Sequence, residues 1–443
     1  MQRNQLSRRD ALKMGGGATL AALAAPLYVP SSALGQNGKK GANDKIILGY
    51  VGMGRRAKQL LPGVPEGSKS QEVEVAAIAD VYLPRAESVA KKYQAKAYQD
   101  YRKLLEREDI DAIVTATNDH WRAKVCIEAA QSGKDIYGEK PMTLTIAEGR
   151  IMVEAVRKYK RVFQTGSQQR SNSVNRHGCE LVRNGHIGKV TKVIAENYPS
   201  PWYGDLPGQP VPDGLDWDMW AGPVQPVPYH KDLFTPRANP GWISFQPYSG
   251  GEVTGWGAHG LDQIQWALGM DGTGPVEIWV EGGDFDPPTY HEPESRSRGN
   301  KVCAIPVVKY KYENGPVVEF GDGPGGGGIF IGEKGTIRID RGRVSSDPEG
   351  IAKEEIADDG VHLYKSDNHM QNWLDCIRSR ELPVCDVEIG HRSTTVCHLA
   401  NIARWVGRKL RWDPITETFP GDDEANAHLD RERRKQYDLP KTI

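Results

Sequence analysis

Early in the chain an apolar run, Lys45-Ile46-Ile47-Leu48-Gly49-Tyr50-Val51, leads straight into Gly52-Met53-Gly54-Arg55-Arg56-Ala57, and Ala57 to Leu61 can open a helix. Strand, glycine turn and helix in that order constrain the fold more than any other feature. The first glycine permits a tight turn. The second lets the backbone come close to a ligand, and the small third residue lets helix and strand pack. On its own the G-x-G-x-x-G/A pattern is weak. Here a second apolar run, Val73 to Ala79, ends on Asp80. That is about 20 residues further on, where a dinucleotide fold places an acid against ribose hydroxyls.

The alternation continues. Arg85–Tyr93 has a helical pattern, Ile110–Thr117 reads as a strand, and Trp121–Ser132 as a helix stopped by Gly133. A short strand at Asp135–Tyr137, a helix over Ala147–Lys160 and a strand over Val162–Thr165 follow. Such alternation implies a parallel sheet covered on both faces. After Gly166 the character changes. Tyr198 to Pro247 is rich in Pro, Trp and Gly with little periodicity. Later runs at Val276–Val280, Val302–Tyr312, Val317–Phe320 and Thr336–Ile339 fit a mostly antiparallel sheet, with helices over Asn368–Arg378 and Ser393–Val406 packed on it. Gly325 to Gly328 reads as a loop. The predicted class is α/β: an N-terminal Rossmann dinucleotide-binding domain over 45–165, then a C-terminal α/β domain over 166–443 with a largely antiparallel open sheet.

Lys plus Arg number 57 and Asp plus Glu 58, a net charge of -1. That balance leaves no electrostatic footprint for nucleic acid or an anionic membrane. The first residues read as an address. Ser7-Arg8-Arg9-Asp10-Ala11-Leu12-Lys13 precedes an apolar run from Met14 to about Val29, interrupted by Pro26 and short for a membrane span, and then Ser31-Ser32-Ala33-Leu34-Gly35, with cleavage after Gly35 expected and retention as an uncleaved anchor the other outcome. This resembles a twin-arginine export signal over 1–35, with 36–44 as a linker. A frayed helix with two chance arginines is the plainer alternative. Twin-arginine export carries folded proteins and so suits one that takes up its cofactor before leaving. It implies the translocase as a transient partner and a periplasmic or other extracytoplasmic location. Six cysteines do not make a small disulfide scaffold. Cys376, Cys385, His391, Cys397 and His398 contain no C-x-x-C spacing, so no metal site is predicted and buried thiols are the default.

A more specific signal is Gly138-Glu139-Lys140-Pro141. Together with the glycine turn, Thr117-Asn118-Asp119-His120-Trp121 and Gly250-Gly251…Trp256-Gly257-Ala258-His259…Asp262, it makes the chain resemble the Gfo/Idh/MocA family of sugar oxidoreductases over most of its length. The exported members with twin-arginine signals are the nearest in kind. The resemblance implies that Lys140 sits beside the nicotinamide and the reacting hydroxyl, that Glu139 orients it, and that Pro141 fixes the backbone. His259 matches the general acid/base of an Asp-x-x-x-His pattern, but the aspartate is missing because position 255 is Gly. Asn118 stands where relatives often carry Pro, and Arg122 where they often carry His. Lys140 and His259 are therefore the expected catalytic pair. The cofactor falls to Gly52, Met53, Gly54, Arg55, Arg56, Asp80, Thr117, Asn118, His120, Glu139 and Lys140. The substrate falls to Gln169, Arg170, Trp256 and Asp262.

Oxidising a secondary alcohol needs a base for the hydroxyl proton, and histidine suits that near neutral pH. A lysine can stabilise the alkoxide. Glu252, Asp262, Tyr198 and Tyr248 are unranked substitutes for the missing aspartate. Asp80 favours NAD, since a carboxylate repels a 2′-phosphate, while Arg55 and Arg56 leave NADP open. The cell envelope offers little free nicotinamide, so a tightly held, internally recycled cofactor is expected. That admits two enzymes: an oxidoreductase acting on a sugar or sugar derivative, and a redox-neutral glycoside hydrolase or lyase of the same fold. The loss of the acid at Gly255 motivates a third reading, a non-catalytic sugar sensor that retains a nucleotide. Relatives often cover the open sheet with a second subunit, so a homo-oligomer is expected.

Overall fold

The computed structural model describes residues 45–61, 73–235, 241–291, 302–440 and 443. The predicted export signal at 1–35 and the linker at 36–44 lie outside them.

Six strands, β1 (Ile46–Val51), β2 (Val73–Ala79), β3 (Lys96–Tyr98), β4 (Ala112–Thr115), β5 (Asp135–Gly138) and β6 (Phe163–Thr165), form a sheet in the order β3-β2-β1-β4-β5-β6. The pairings of β1 with β4, β2 with β3, β4 with β5 and β5 with β6 are parallel. This is the doubly wound Rossmann order, with a switch point beside β1 where ligands bind. The strands read as continuous apolar runs because both faces are covered: all four residues of β4 and of β5 are buried. The helices of six residues or more are α1 (Arg55–Leu60), α2 (Leu83–Tyr93), α3 (Asp119–Gln131), α4 (Ile146–Lys158), α5 (Ser173–Arg183), α6 (Gly257–Leu268), α7 (His369–Ser379) and α8 (Val387–Val406) among the described residues.

The second half adds β7 (Val190–Glu196), β8 (Trp202–Gly204), β9 (Phe245–Gln246), β10 (Glu277–Glu281), β11 (Thr289–Tyr290), β12 (Val307–Lys311), β13 (Val317–Gly321), β14 (Gly328–Gly332), β15 (Thr336–Asp340), β16 (Arg343–Asp347) and β17 (Leu410–Arg411). Eight of these form a sheet in the order β16-β15-β14-β7-β13-β12-β10-β17. Only β13 with β7 is parallel; the other pairs are antiparallel. Alternation marks it as one-sided: Val308, Tyr310, Val318, Phe320, Ile337 and Ile339 are buried in one core with residues of α6 and α8. The remaining sheet, β11-β8-β9, carries the aromatic cluster of Trp202, Phe245 and Tyr290.

The strand expected over Val302–Tyr312 is shorter, because Pro306 has no N–H to give to the ladder and β12 starts after it. Helix α8 begins at Val387 rather than Ser393, capped by Asp386, whose side chain accepts from the Glu388 N–H at 3.2 Å. Strands β7 and β14 were not anticipated.

Candidate active site

The glycine turn sits at the C-terminal end of β1. Gly52 has φ +80°, and a Cβ on it would lie 2.9 Å from Thr117 Cγ2. Gly54 has an ordinary φ of -71°, and no described atom lies within 4 Å of where its Cβ would be. Ala57 is fully buried against the sheet. The turn therefore opens a cradle beside Gly54. A cavity of about 130 Å³ runs past Gly52, Gly54, Arg55, Asp80, Arg85 and Asn118. Asn118 Nδ2 is buried with no acceptor among the described residues. An open cradle and an orphaned buried donor on one cleft are what a dinucleotide needs, so the residues present fit NAD.

A second cavity, of about 340 Å³, adjoins the first through Arg55, Arg56, Thr117 and Trp242. Lys140, His259, Asp119, Arg122, Gln168, Trp256 and Arg341 line it. The Lys140 amine donates to Gly255 O at 2.8 Å. It is thus held by the backbone at the very position where relatives place the aspartate. A side chain there has little room: a Cβ on Gly255 would lie 3.1 Å from Glu252 Oε2 and 3.2 Å from Ile243 Cδ1. Glu139 is buried and orients the lysine through the main chain: its Oε2 accepts from the Lys140 N–H at 3.2 Å, and its Oε1 accepts from Arg56 Nε at 2.7 Å. The Lys140–Pro141 peptide bond is cis. Trp256 is 36% exposed, with Arg341 Cζ 5.2 Å from its ring centroid and the His259 ring 5.8 Å away and tilted by 58°.

Asp119 is the carboxylate that sequence reasoning overlooked. It opens α3, is buried, and reaches the cavity that holds Lys140. Arg122 Nη1 donates to its Oδ1 at 3.2 Å and Ser249 Oγ to its Oδ2 at 2.8 Å. Burial pushes its carboxyl above the ordinary value, against the pull of Arg122, Ser249 and Lys140. Arg122 also donates to Pro141 O and Thr117 O, and so ties α3 to the lysine loop. The motif containing Asp119 was visible; its neighbour His120 drew attention instead.

Several expected residues face elsewhere. His120 is buried with Nε2 3.0 Å from Trp220 O, and burial lowers its pKa to about 4, so it is a neutral packing residue. Met53 offers only its backbone N–H, which donates to Asp80 at 2.7 Å. Arg170 does not line either cavity: it is buried, paired with Asp262 at 2.9 Å and with Asp271 at 2.7 Å. Asp262 also accepts from Ser393 Oγ at 2.7 Å. Gln169 donates to Gly326 O at 2.6 Å, and its neighbour Gln168 reaches the cavity. Among the earlier candidates for the missing acid, Tyr198 donates its hydroxyl to Gly325 O at 2.9 Å. Tyr248 is buried with its pKa pushed up to about 12. Asp80 is surrounded by donors from Met53, Tyr82 and Arg85.

Comparison with known proteins bears on both halves of the chain. The family profile described as "Oxidoreductase family, NAD-binding Rossmann fold" matches residues 46–167, and "Oxidoreductase family, C-terminal alpha/beta domain" matches residues 180–439. Inositol 2-dehydrogenase of Salmonella typhimurium is 30% identical over 129 residues, 28% of this chain and 38% of that protein. A glycosyl hydrolase family 109 protein of Shewanella baltica is 30% identical over 166 residues, 33% of this chain and 36% of that protein. The chain thus matches well under half the length of these relatives. The WlbA dehydrogenase from Bordetella pertussis, solved with NADH and UDP-GlcNAcA, shares the fold with a TM-score of 0.58 at 18% identity, over 83% of this chain and 99% of that one. The chain belongs to the Gfo/Idh/MocA family of oxidoreductases, with an NAD-binding Rossmann domain ahead of an α/β domain built on a mixed, mostly antiparallel sheet.

Proposed function

We propose that the protein oxidises a secondary hydroxyl of a sugar or sugar-derived polyol. The observation that carries this is convergence: Lys140, His259, Asp119 and the Trp256 face line one cavity that opens into the dinucleotide cleft. Bound NAD supplies the hydride acceptor. Trp256 offers an aromatic face to the C–H side of a sugar ring, steadied by Arg341. His259 takes the hydroxyl proton, and the Lys140 ammonium stabilises the charge left on oxygen. Asp119 stands in for the aspartate missing at Gly255 as the carboxylate that exchanges a proton with this cluster. Two relatives support a ring polyol or sugar as substrate: the Salmonella typhimurium protein is named an inositol dehydrogenase, and the Bordetella pertussis enzyme was solved with a sugar nucleotide.

A second reading is redox-neutral glycoside cleavage. The match to a glycosyl hydrolase family 109 protein supports it, as does a third acid/base group beside Lys140. The proposal includes export by the twin-arginine translocase, resting on Arg8-Arg9 and the segment behind them, a tightly held cofactor, and a homo-oligomer.

To test it, the purified protein is incubated with free sugars, inositols and aryl glycosides of both anomers, following nicotinamide absorbance and aglycone release. A change in the redox state of the nicotinamide on adding a free sugar or inositol, which Lys140→Met abolishes, supports the dehydrogenase. Aglycone release without net reduction supports the hydrolase. A bound nucleotide whose redox state never changes with any of these would overturn both.

A further inference from the structure

We propose that the cofactor site does not discriminate against a 2′-phosphate, and that Arg85 is the residue responsible: the chain takes NADP(H) as well as NAD(H). The inference rests on the cleft being the dinucleotide site.

In a site selective for NAD, the acid at the end of the second strand does two things. It accepts hydrogen bonds from ribose hydroxyls, and its charge repels a phosphate. Asp80 occupies that position, but its accepting capacity is already filled. A carboxylate offers about four lone-pair sites. Oδ2 accepts from the Met53 N–H at 2.7 Å and from Arg85 Nε at 3.0 Å. Oδ1 accepts from the Tyr82 N–H at 2.8 Å and from Arg85 Nη2 at 2.8 Å. The carboxylate is 4% exposed. Four donors on two oxygens leave no acceptor for a ribose hydroxyl, and the bidentate guanidinium offsets the charge that would repel a phosphate.

Arg85 is the outer member of the pair. Its side chain is 21% exposed and lines the cleft with Gly52, Gly54 and Asp80. Its guanidinium carbon lies 5.2 Å from the Phe234 ring centroid and 5.7 Å from that of Tyr82, so the group is held in place. A guanidinium has five N–H donors, and two carboxylate bonds use two of them. What the cleft presents beside Asp80 is therefore a fixed cation with donors to give. It suits a phosphate dianion and also a hydroxyl acting as acceptor. The arginines of the glycine turn are less suited: Arg56 is engaged by Glu139 at 2.7 Å, and Arg55 is an exposed side chain.

The full-length protein is equilibrated with excess NAD+ or NADP+, freed of unbound nucleotide and denatured, and the released nucleotide is identified and counted by mass. The expected result is retention of NADP+ within about tenfold of NAD+. Arg85→Ala should lower NADP+ retention by tenfold or more and NAD+ retention by less, because the Asp80 oxygens it frees can accept from the ribose hydroxyls. Because Arg85→Ala leaves Asp80 without its partner, Asp80→Asn is read in parallel; it keeps the arginine and should shift the ratio toward NADP+. A wild-type preference for NAD+ beyond about a hundredfold, or a ratio that Arg85→Ala does not move, overturns the proposal. Retention of neither nucleotide overturns the dinucleotide reading of the cleft, and this proposal with it.

Discussion

Gly52 and Gly54 stand two residues apart and are glycine for different reasons. Gly52 needs its positive φ and its tight approach to Thr117, so Gly52→Ala should destabilise the fold by about 1–3 kcal/mol in urea unfolding. Gly54 has an ordinary backbone and open space, so Gly54→Val should leave the unfolding midpoint of the nucleotide-free protein nearly unchanged. The new side chain would fill the cradle instead, and nucleotide retention should fall at least tenfold. Equal loss of stability in both variants would contradict this division. Asp119 makes a different prediction. A carboxylate acting as base must be ionised, so activity falls as pH drops through its titration. Burial moves that titration above the ordinary carboxylate value. In Asp119→Asn the acidic limb of the kcat/KM profile should lose the step set by this carboxylate and keep only that of His259, with a loss of about 10²–10⁴ in rate at the optimum. An unchanged limb would assign it to another group.

At the scale of elements, what could be read from the sequence was what is local. The glycine turn, the strand before it and the Glu-Lys-Pro segment each depend on neighbours within a few residues. Strand β7 is central to the second sheet, yet of its seven residues, Val190–Glu196, only Val193 and Ala195 are buried, so its pattern barely rises above the surrounding loop. Strand β14 hides behind Gly325–Gly328, whose last glycine opens it. The pairing of Arg170 is not legible in the sequence because its partners lie far along the chain, Asp262 on α6 and Asp271 just after it. No spacing rule reveals such a pair. The structural role has a clear consequence. Removing one member of a buried ion cluster leaves uncompensated charge, typically about 3–5 kcal/mol. Arg170→Met should therefore lower the unfolding midpoint sharply. If Arg170 bound substrate instead, the same variant would raise KM and leave the midpoint alone.

At the scale of the whole molecule, the two halves are stitched together by neutral imidazoles. His369 of α7 reaches Thr165 O at the end of β6 through Nε2 at 2.8 Å. His398 of α8 reaches Thr143 O at 3.1 Å, and His120 of α3 reaches Trp220 O at 3.0 Å. Each ring donates to a carbonyl across the seam, and burial holds each pKa down to about 4. In the unfolded chain these groups titrate near 6.5. A depressed folded-state pKa contributes stability that is complete above the unfolded value and is lost as pH falls toward the folded one. Each histidine should therefore cost up to about 3 kcal/mol between pH 6.5 and 4. Asp119 and Asp262, raised by burial, work in the opposite direction. Salt-bridged acids such as Glu417, held down from 4.5 to about 2, keep their stabilisation through most of this range and lose it only as pH falls below about 4.5. The melting temperature should fall steadily from pH 6.5 to 4 at fixed ionic strength. In His398→Gln, whose amide can still donate to Thr143 O but cannot take a proton in this range, the fall should be shallower. Parallel slopes in the two proteins would mean that the seam does not open by protonation of that ring.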